Sequence, residues 1–131
     1  MPKPIPQSTR ETEAFWESAN RGKLIFQRCH VCGKGQFYPR FFCIHCGSKD
    51  LSWEEAKSGK VYSFTVIHRP PSEAFANDVP YILALVEFEG GVRVMANLKG
   101  AVTSKIYIGM PIQVKFEARG EKISVPIFMP V

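Results

Sequence analysis

The chain has 131 residues, a formal net charge of +5, and an apolar fraction of 45% against 22% charged residues. That length suits one ordinary core or two small modules packed together, and the balance is that of a globular protein rather than a disordered or fibrous one. No apolar run approaches the roughly 20 residues that a membrane-spanning helix needs, and Met1-Pro2-Lys3-Pro4-Ile5-Pro6 lacks the apolar stretch of a secretory signal. A cytoplasmic setting is therefore expected.

In chain order, residues 1–7 hold three prolines and read as an extended arm. Ser8-Thr9-Arg10-Glu11 has the form of a capping box, which predicts a helix from there to about Asn20, stopped by Gly22. Phe15 and Trp16 are adjacent and so diverge by about 100° on a helix. Both suit a core, yet one of them could face a partner. Lys23 to Arg28 reads as a short strand.

The strand leads into Cys29-His30-Val31-Cys32-Gly33, answered after ten residues by Cys43-Ile44-His45-Cys46-Gly47. All four cysteines of the chain lie in these two turns. A two-residue gap lets two thiolates of one turn reach one ion, and the trailing glycines permit the positive φ that folds the turn back. In a reducing compartment such pairs point to metal rather than to disulfides, and no βαβ pattern surrounds them to suggest a redox dithiol. Zinc is the favoured ion, with iron in a rubredoxin-type site the alternative. His30 and His45 are expected to point outward as bystanders. Four thiolates leave no open position, so the metal is expected to be structural.

Between the knuckles, Phe37, Tyr38, Phe41 and Phe42 crowd a module of about 30 residues that has almost no core of its own. Phe37 and Tyr38 are therefore candidate partner contacts. Residues 20–49 also carry Arg21, Lys23, Arg28, Lys34, Arg40 and Lys49 with no acidic residue. This is either a solvated face that offsets an anionic metal site or a patch for a phosphate-bearing partner. Trp53 is expected to close the ribbon against the next part of the chain.

After Ser58-Gly59 the apolar period changes to two. Val61–His68, Tyr81–Glu89, Val92–Leu98, Ile112–Arg119 and Ile123–Phe128 predict five antiparallel strands, with Gly90-Gly91 as a primed hairpin turn and Pro126 confining the last strand to an edge. One long connection between the third and fourth strands fits a small closed barrel, with the oligonucleotide/oligosaccharide-binding (OB) fold as leading candidate. The segment from Arg69 to Pro80 is too long for a plain hairpin, and reads as a lid or contact loop with Phe75 its one large apolar residue. His68, the histidine outside the knuckles, is expected to be structural within its strand. The expected fold is mainly β: an N-terminal arm and helix (1–22), a rubredoxin-like zinc ribbon (23–56) and a five-stranded OB-fold barrel (57–131). No nucleophile elbow, phosphate-cradling glycine loop or dinucleotide fingerprint is present.

Taken in order, the capped helix, the first Cys-x-x-Cys-Gly, Tyr38-Pro39-Arg40, the second Cys-x-x-Cys-Gly-Ser, Trp53, Ser58-Gly59-Lys60-Val61-Tyr62-Ser63-Phe64-Thr65, Val79-Pro80-Tyr81 and Ile108-Gly109-Met110-Pro111-Ile112-Gln113-Val114 form a pattern that resembles the DUF35 family over about Ser8 to Phe128. The resemblance implies a zinc ribbon joined to an OB fold. It further implies an accessory, non-catalytic role as the small partner of a thiolase-superfamily chain in acyl-CoA metabolism, with acyl-CoA at the shared interface. On that reading Lys34 and Arg40 become candidate contacts for CoA phosphates. Nucleic-acid binding is the main alternative, since ribbons and OB folds both perform it. Against it, residues 57–131 mix nine basic with six acidic residues, and no basic groove with interleaved aromatics emerges. An FeS₄ electron carrier is the third reading.

Overall fold

The computed structural model describes residues 2–89 and 91–131. One helix, α1 (Glu13–Asn20), precedes eight strands: β1 (Ile25–Cys29), β2 (Gly35–Gln36), β3 (Leu51–Glu55), β4 (Ser58–Ile67), β5 (Tyr81–Phe88), β6 (Arg93–Leu98), β7 (Pro111–Arg119) and β8 (Ile123–Pro130). The first three form a sheet of order β2-β1-β3, and the last five close a barrel in the order β4-β5-β6-β8-β7. The expected mainly-β fold, with its helix, ribbon and five-stranded OB-like barrel, is the one observed.

The helix begins later than the Ser8 box predicts. A turn precedes it, in which the Thr9 N–H donates to Thr12 Oγ1 at 2.9 Å and the Thr12 N–H donates to Thr9 O at 3.2 Å. Thr12 is 3% exposed, and a hydroxyl at that depth can be satisfied locally, as the carboxylate of Glu11 could not be without a partner charge. The helix ends as expected at Gly22, whose φ is 79°. There the Lys23 N–H returns to Ser18 O at 2.9 Å, closing a Schellman-type C-cap. α1 packs against β8 and β1, and Asn20 Nδ2 donates to Lys122 O at 2.8 Å, fixing the helix end to the β7–β8 turn.

In the barrel, β5 alternates half-buried and buried positions, placing Ile82, Ala84, Val86 and Phe88 inside. Val61, Val94, Leu98, Ile112 and Phe128 meet them from the neighbouring strands. A bulge at Val61/Ser63 bends β4 so that it pairs with β5 on one side and, through Ser58–Lys60, with β7 on the other. The seam between β6 and β8 is short: only Leu98 and Phe128 pair across it, in parallel. Pro126 lies on β8 beyond that pair, so its missing N–H costs no ladder bond on this side. Where β5 leads to β6, Phe88 N–H donates to Val92 O at 2.8 Å, Gly91 N–H donates to Phe88 O at 3.1 Å, and Gly91 has φ 82°. Gly90, on which the primed-turn expectation rests, lies outside the described residues.

The N-terminal arm lies against the barrel. Arg119 donates to Pro4 O at 3.2 Å, and Lys3 pairs with Asp78 at 2.6 Å while its Nζ lies 5.6 Å from the centre of the Phe75 ring. The Arg69–Pro80 loop is thereby strapped to the arm, and Phe75 rests half-buried 6.4 Å from Tyr81. His68 falls just past the end of β4 and is exposed, not held within a strand. Among the described residues no helix is long and apolar enough to cross a membrane.

Candidate metal centre

The two Cys-x-x-Cys-Gly turns meet at the far end of the ribbon. The sulfurs of Cys29, Cys32, Cys43 and Cys46 lie within 4.8 Å of one another. Across the two knuckles, Cys29 Sγ and Cys46 Sγ are 3.6 Å apart, as are Cys32 Sγ and Cys43 Sγ. A tetrahedron with metal–sulfur bonds of about 2.3 Å has edges of about 3.8 Å, so the donor set fits one ion with little adjustment. His30 and His45 are exposed and outside this cluster.

Each knuckle builds its own anion hole. Gly33 and Gly47 have φ of 76° and 80°, and their N–H groups return to Cys29 O at 3.0 Å and Cys43 O at 2.9 Å. The chain reversal aims the Val31 and Cys32 N–H groups at Cys29 Sγ, at 3.4 and 3.5 Å, and the His45 N–H at Cys43 Sγ, at 3.4 Å. The Cys32 N–H, opposed by burial and aided by the Val31 N–H and the neighbouring thiols, lowers the Cys29 thiol to about 6. Against the backbone hydrogen bond at Ser48, burial and the neighbouring thiols push Cys46 up to about 11, so the four sulfurs share protons that a metal would displace on binding.

Two buried glutamines, which no motif or spacing singles out, hold the segment between the knuckles. Gln27 on β1 and Gln36 on β2 face each other and are 5% and 4% exposed. Gln27 Nε2 donates to Arg40 O at 2.7 Å and Gln27 Oε1 accepts from the Arg40 N–H at 2.9 Å. Gln36 Nε2 donates to Phe42 O at 3.1 Å and Gln36 Oε1 accepts from the Ile44 N–H at 2.8 Å. Trp53 stands opposite Gln27 on the same face of the sheet and is 39% exposed. It flanks the glutamine pair and does not close the ribbon onto the barrel. That junction is made by Phe26, and by Gly35 set against Val92.

The helix aromatics take the core reading that both of them suit, and the aromatics of the ribbon divide between inside and outside. Phe15 is 1% and Trp16 8% exposed, so these candidates for partner contact are interior. Phe15 makes edge-to-face contacts with Trp16, Phe37 and Tyr38 at centroid distances of 4.8, 5.3 and 5.7 Å. Phe37 packs on the main core, and Tyr38 keeps 37% of its surface open. Phe41 and Phe42 point outward instead, at 59% and 48% exposure. Lys34 and Arg40 are both exposed.

Comparison with known proteins agrees with this architecture. Residues 16–52 match the family model for the ChsH2 rubredoxin-like zinc ribbon domain, and residues 53–117 match that for the ChsH2 C-terminal OB-fold domain. A probable enoyl-CoA hydratase alpha subunit of Thermomonospora curvata is 38% identical over 129 residues; the match covers 98% of this chain but only 40% of that protein. A DUF35 domain-containing scaffold protein of Methanocaldococcus jannaschii is 35% identical over 96 residues, covering 71% of this chain and 67% of the relative. Among solved structures, a chain of an Ltp2-ChsH2(DUF35) aldolase superposes with a TM-score of 0.83 at 38% identity, covering 96% of this chain and 98% of the other. With ribbon and barrel each matched in place, the chain belongs to the ChsH2-type DUF35 family.

Proposed function

We propose that this protein is a non-catalytic accessory subunit that scaffolds a thiolase-superfamily chain acting on acyl-CoA, as a thiolase or an aldolase, in a cytoplasmic hetero-oligomer. The observation that carries this reading is the near end-to-end match to a DUF35 chain solved as part of an aldolase with Ltp2. The chemistry of the chain supports it. All four cysteines converge on one closed donor set, which leaves no thiol for nucleophilic work. We assign that set to one structural zinc ion, held by Cys29, Cys32, Cys43 and Cys46. Bound there, zinc supplies folding free energy and no open coordination position. The arm and helix (1–22), ribbon (23–56) and barrel (57–131) then act as one support.

The test is co-expression. A thiolase-superfamily chain should co-purify in a defined ratio with this protein, and its acyl-CoA turnover should collapse when this protein is left out. A catalytic chain fully active alone would end the proposal. Exposed Lys34 and Arg40 are assigned to the CoA phosphates at the shared interface. Lys34→Glu with Arg40→Glu should raise the Kd of the complex for a CoA ester, and an unchanged Kd would remove them from the site.

A further inference from the structure

The knuckles carry apolar side chains on their outer surface. Val31 sits between the first two cysteines, Ile44 between the second two, and Phe41 and Phe42 just before Cys43. They are 67%, 56%, 59% and 48% exposed. Because the four sulfurs converge within 4.8 Å, the two knuckles bring these side chains to the same end of the ribbon, and exposed apolar side chains gathered in this way mark interaction sites.

Their backbone is not free to adapt. Gln36 fixes the Phe42 carbonyl and the Ile44 N–H, and Gln27 fixes Arg40 on both its N–H and its carbonyl. Rigid aromatic anchors lose little entropy on docking, which is the usual character of interface hot spots. Beside the second knuckle the exposed side chain of Lys49 is cationic, apart from Lys34 and Arg40, which are given above to the CoA phosphates, and no carboxylate occurs between residues 20 and 49. A covering surface must therefore be apolar at its centre and acidic at its rim.

We propose that the metal-knuckle end, through Phe41, Phe42, Val31 and Ile44, is the anchor by which this chain docks into an acid-rimmed apolar socket on its catalytic partner. This rests on the accessory-subunit reading above and adds which face binds and what the partner must present. The helix aromatics Phe15 and Trp16 then act only from inside, by supporting the ribbon.

The test uses the metal-loaded full chain and the separately expressed thiolase-superfamily chain that co-purifies with it. Phe41→Ser with Phe42→Ser should weaken binding on the order of 30-fold, with metal content and urea midpoint unchanged. Tyr62→Ser with Met95→Ser, which removes exposed apolar surface from the barrel strands, should leave binding intact. Should the double serine variant lose its metal, Lys49→Glu keeps the question open to decision: it should weaken binding and flatten its dependence on ionic strength. Full affinity in the knuckle variants, or loss only in the barrel variant, overturns this docking face while the accessory role stands. If no thiolase-superfamily chain binds the wild-type protein, both readings fall.

Discussion

Gln36 Nε2 donates to Gln27 Oε1 across 2.7 Å in the interior of the ribbon, and together the two side chains satisfy backbone groups of Arg40, Phe42 and Ile44. A module this small has no room for an apolar core, so an amide pair fills that place and directs its polar atoms at the loop it must hold. The arrangement is a fully connected network, the only kind that a buried site tolerates.

Replacing one member should be strongly destabilising. Gln36→Leu leaves the Ile44 N–H and the Phe42 carbonyl without their partner, and each orphaned buried group costs about 1–3 kcal/mol. We expect a lower denaturation midpoint and weaker metal retention against a competing chelator. Urea titration with metal readout checks both.

Metal removal should act on one end of the molecule. Structural zinc contributes on the order of 10 kcal/mol to modules of this kind, whereas the barrel's share of the common core, Val61, Ile82, Val86, Val94, Ile112 and Phe128, is held by the closed ladder of β4 to β8 without any cysteine. After chelation, or in Cys43→Ser, hydrogen exchange should accelerate across 25–55 and persist at native protection in β5 and β7. Uniform loss of protection would show instead that ribbon and barrel unfold as one unit.

Two glycines should respond differently to alanine. A Cβ on Gly35 would lie 2.6 Å from Val92 Cγ2 and 3.1 Å from Phe26 Cε2, so Gly35→Ala overpacks the junction, at about 1–3 kcal/mol. Gly33 meets nothing within 4 Å but has φ of 76°, so Gly33→Ala carries only the left-handed backbone cost of about 1–2 kcal/mol. Chemical denaturation of both variants separates them by site: the first should also disturb the Val92 environment by NMR.

The Arg28–Glu54 pair, at 2.8 Å, lowers the Glu54 carboxyl below its ordinary value, chiefly through the hydrogen bond from Arg28. Its stabilisation is therefore present above the unfolded-state value and is lost as the pH falls through the folded-state value. Glu54 is 44% exposed, so solvent screening keeps the contribution under about 1 kcal/mol. Glu54→Gln should be slightly less stable than wild type near neutrality and equal to it in acid, as read by urea midpoints.

The parts legible in the sequence were those with a repeating or local signature. The knuckles announce themselves by spacing, Gly22 by its place after the helix, and β5 by alternation. What the sequence withheld depends on the third dimension. Gln27 and Gln36 look like ordinary solvated strand residues until the register sets them face to face. Phe37 and Phe41 are the same residue type four positions apart, and only the packing of Phe15 decides which turns inward. The strap from Lys3 to Asp78 joins positions that no short-range rule connects.

The fit of Gly35 against Val92 also carries a consequence for assembly. With no clearance for even one methyl group, the ribbon cannot slide along the β5–β6 hairpin. The distance from the cysteine cluster to the barrel is thus fixed like the opening of a locked calliper, and a partner that touches both ends must be built to that gauge.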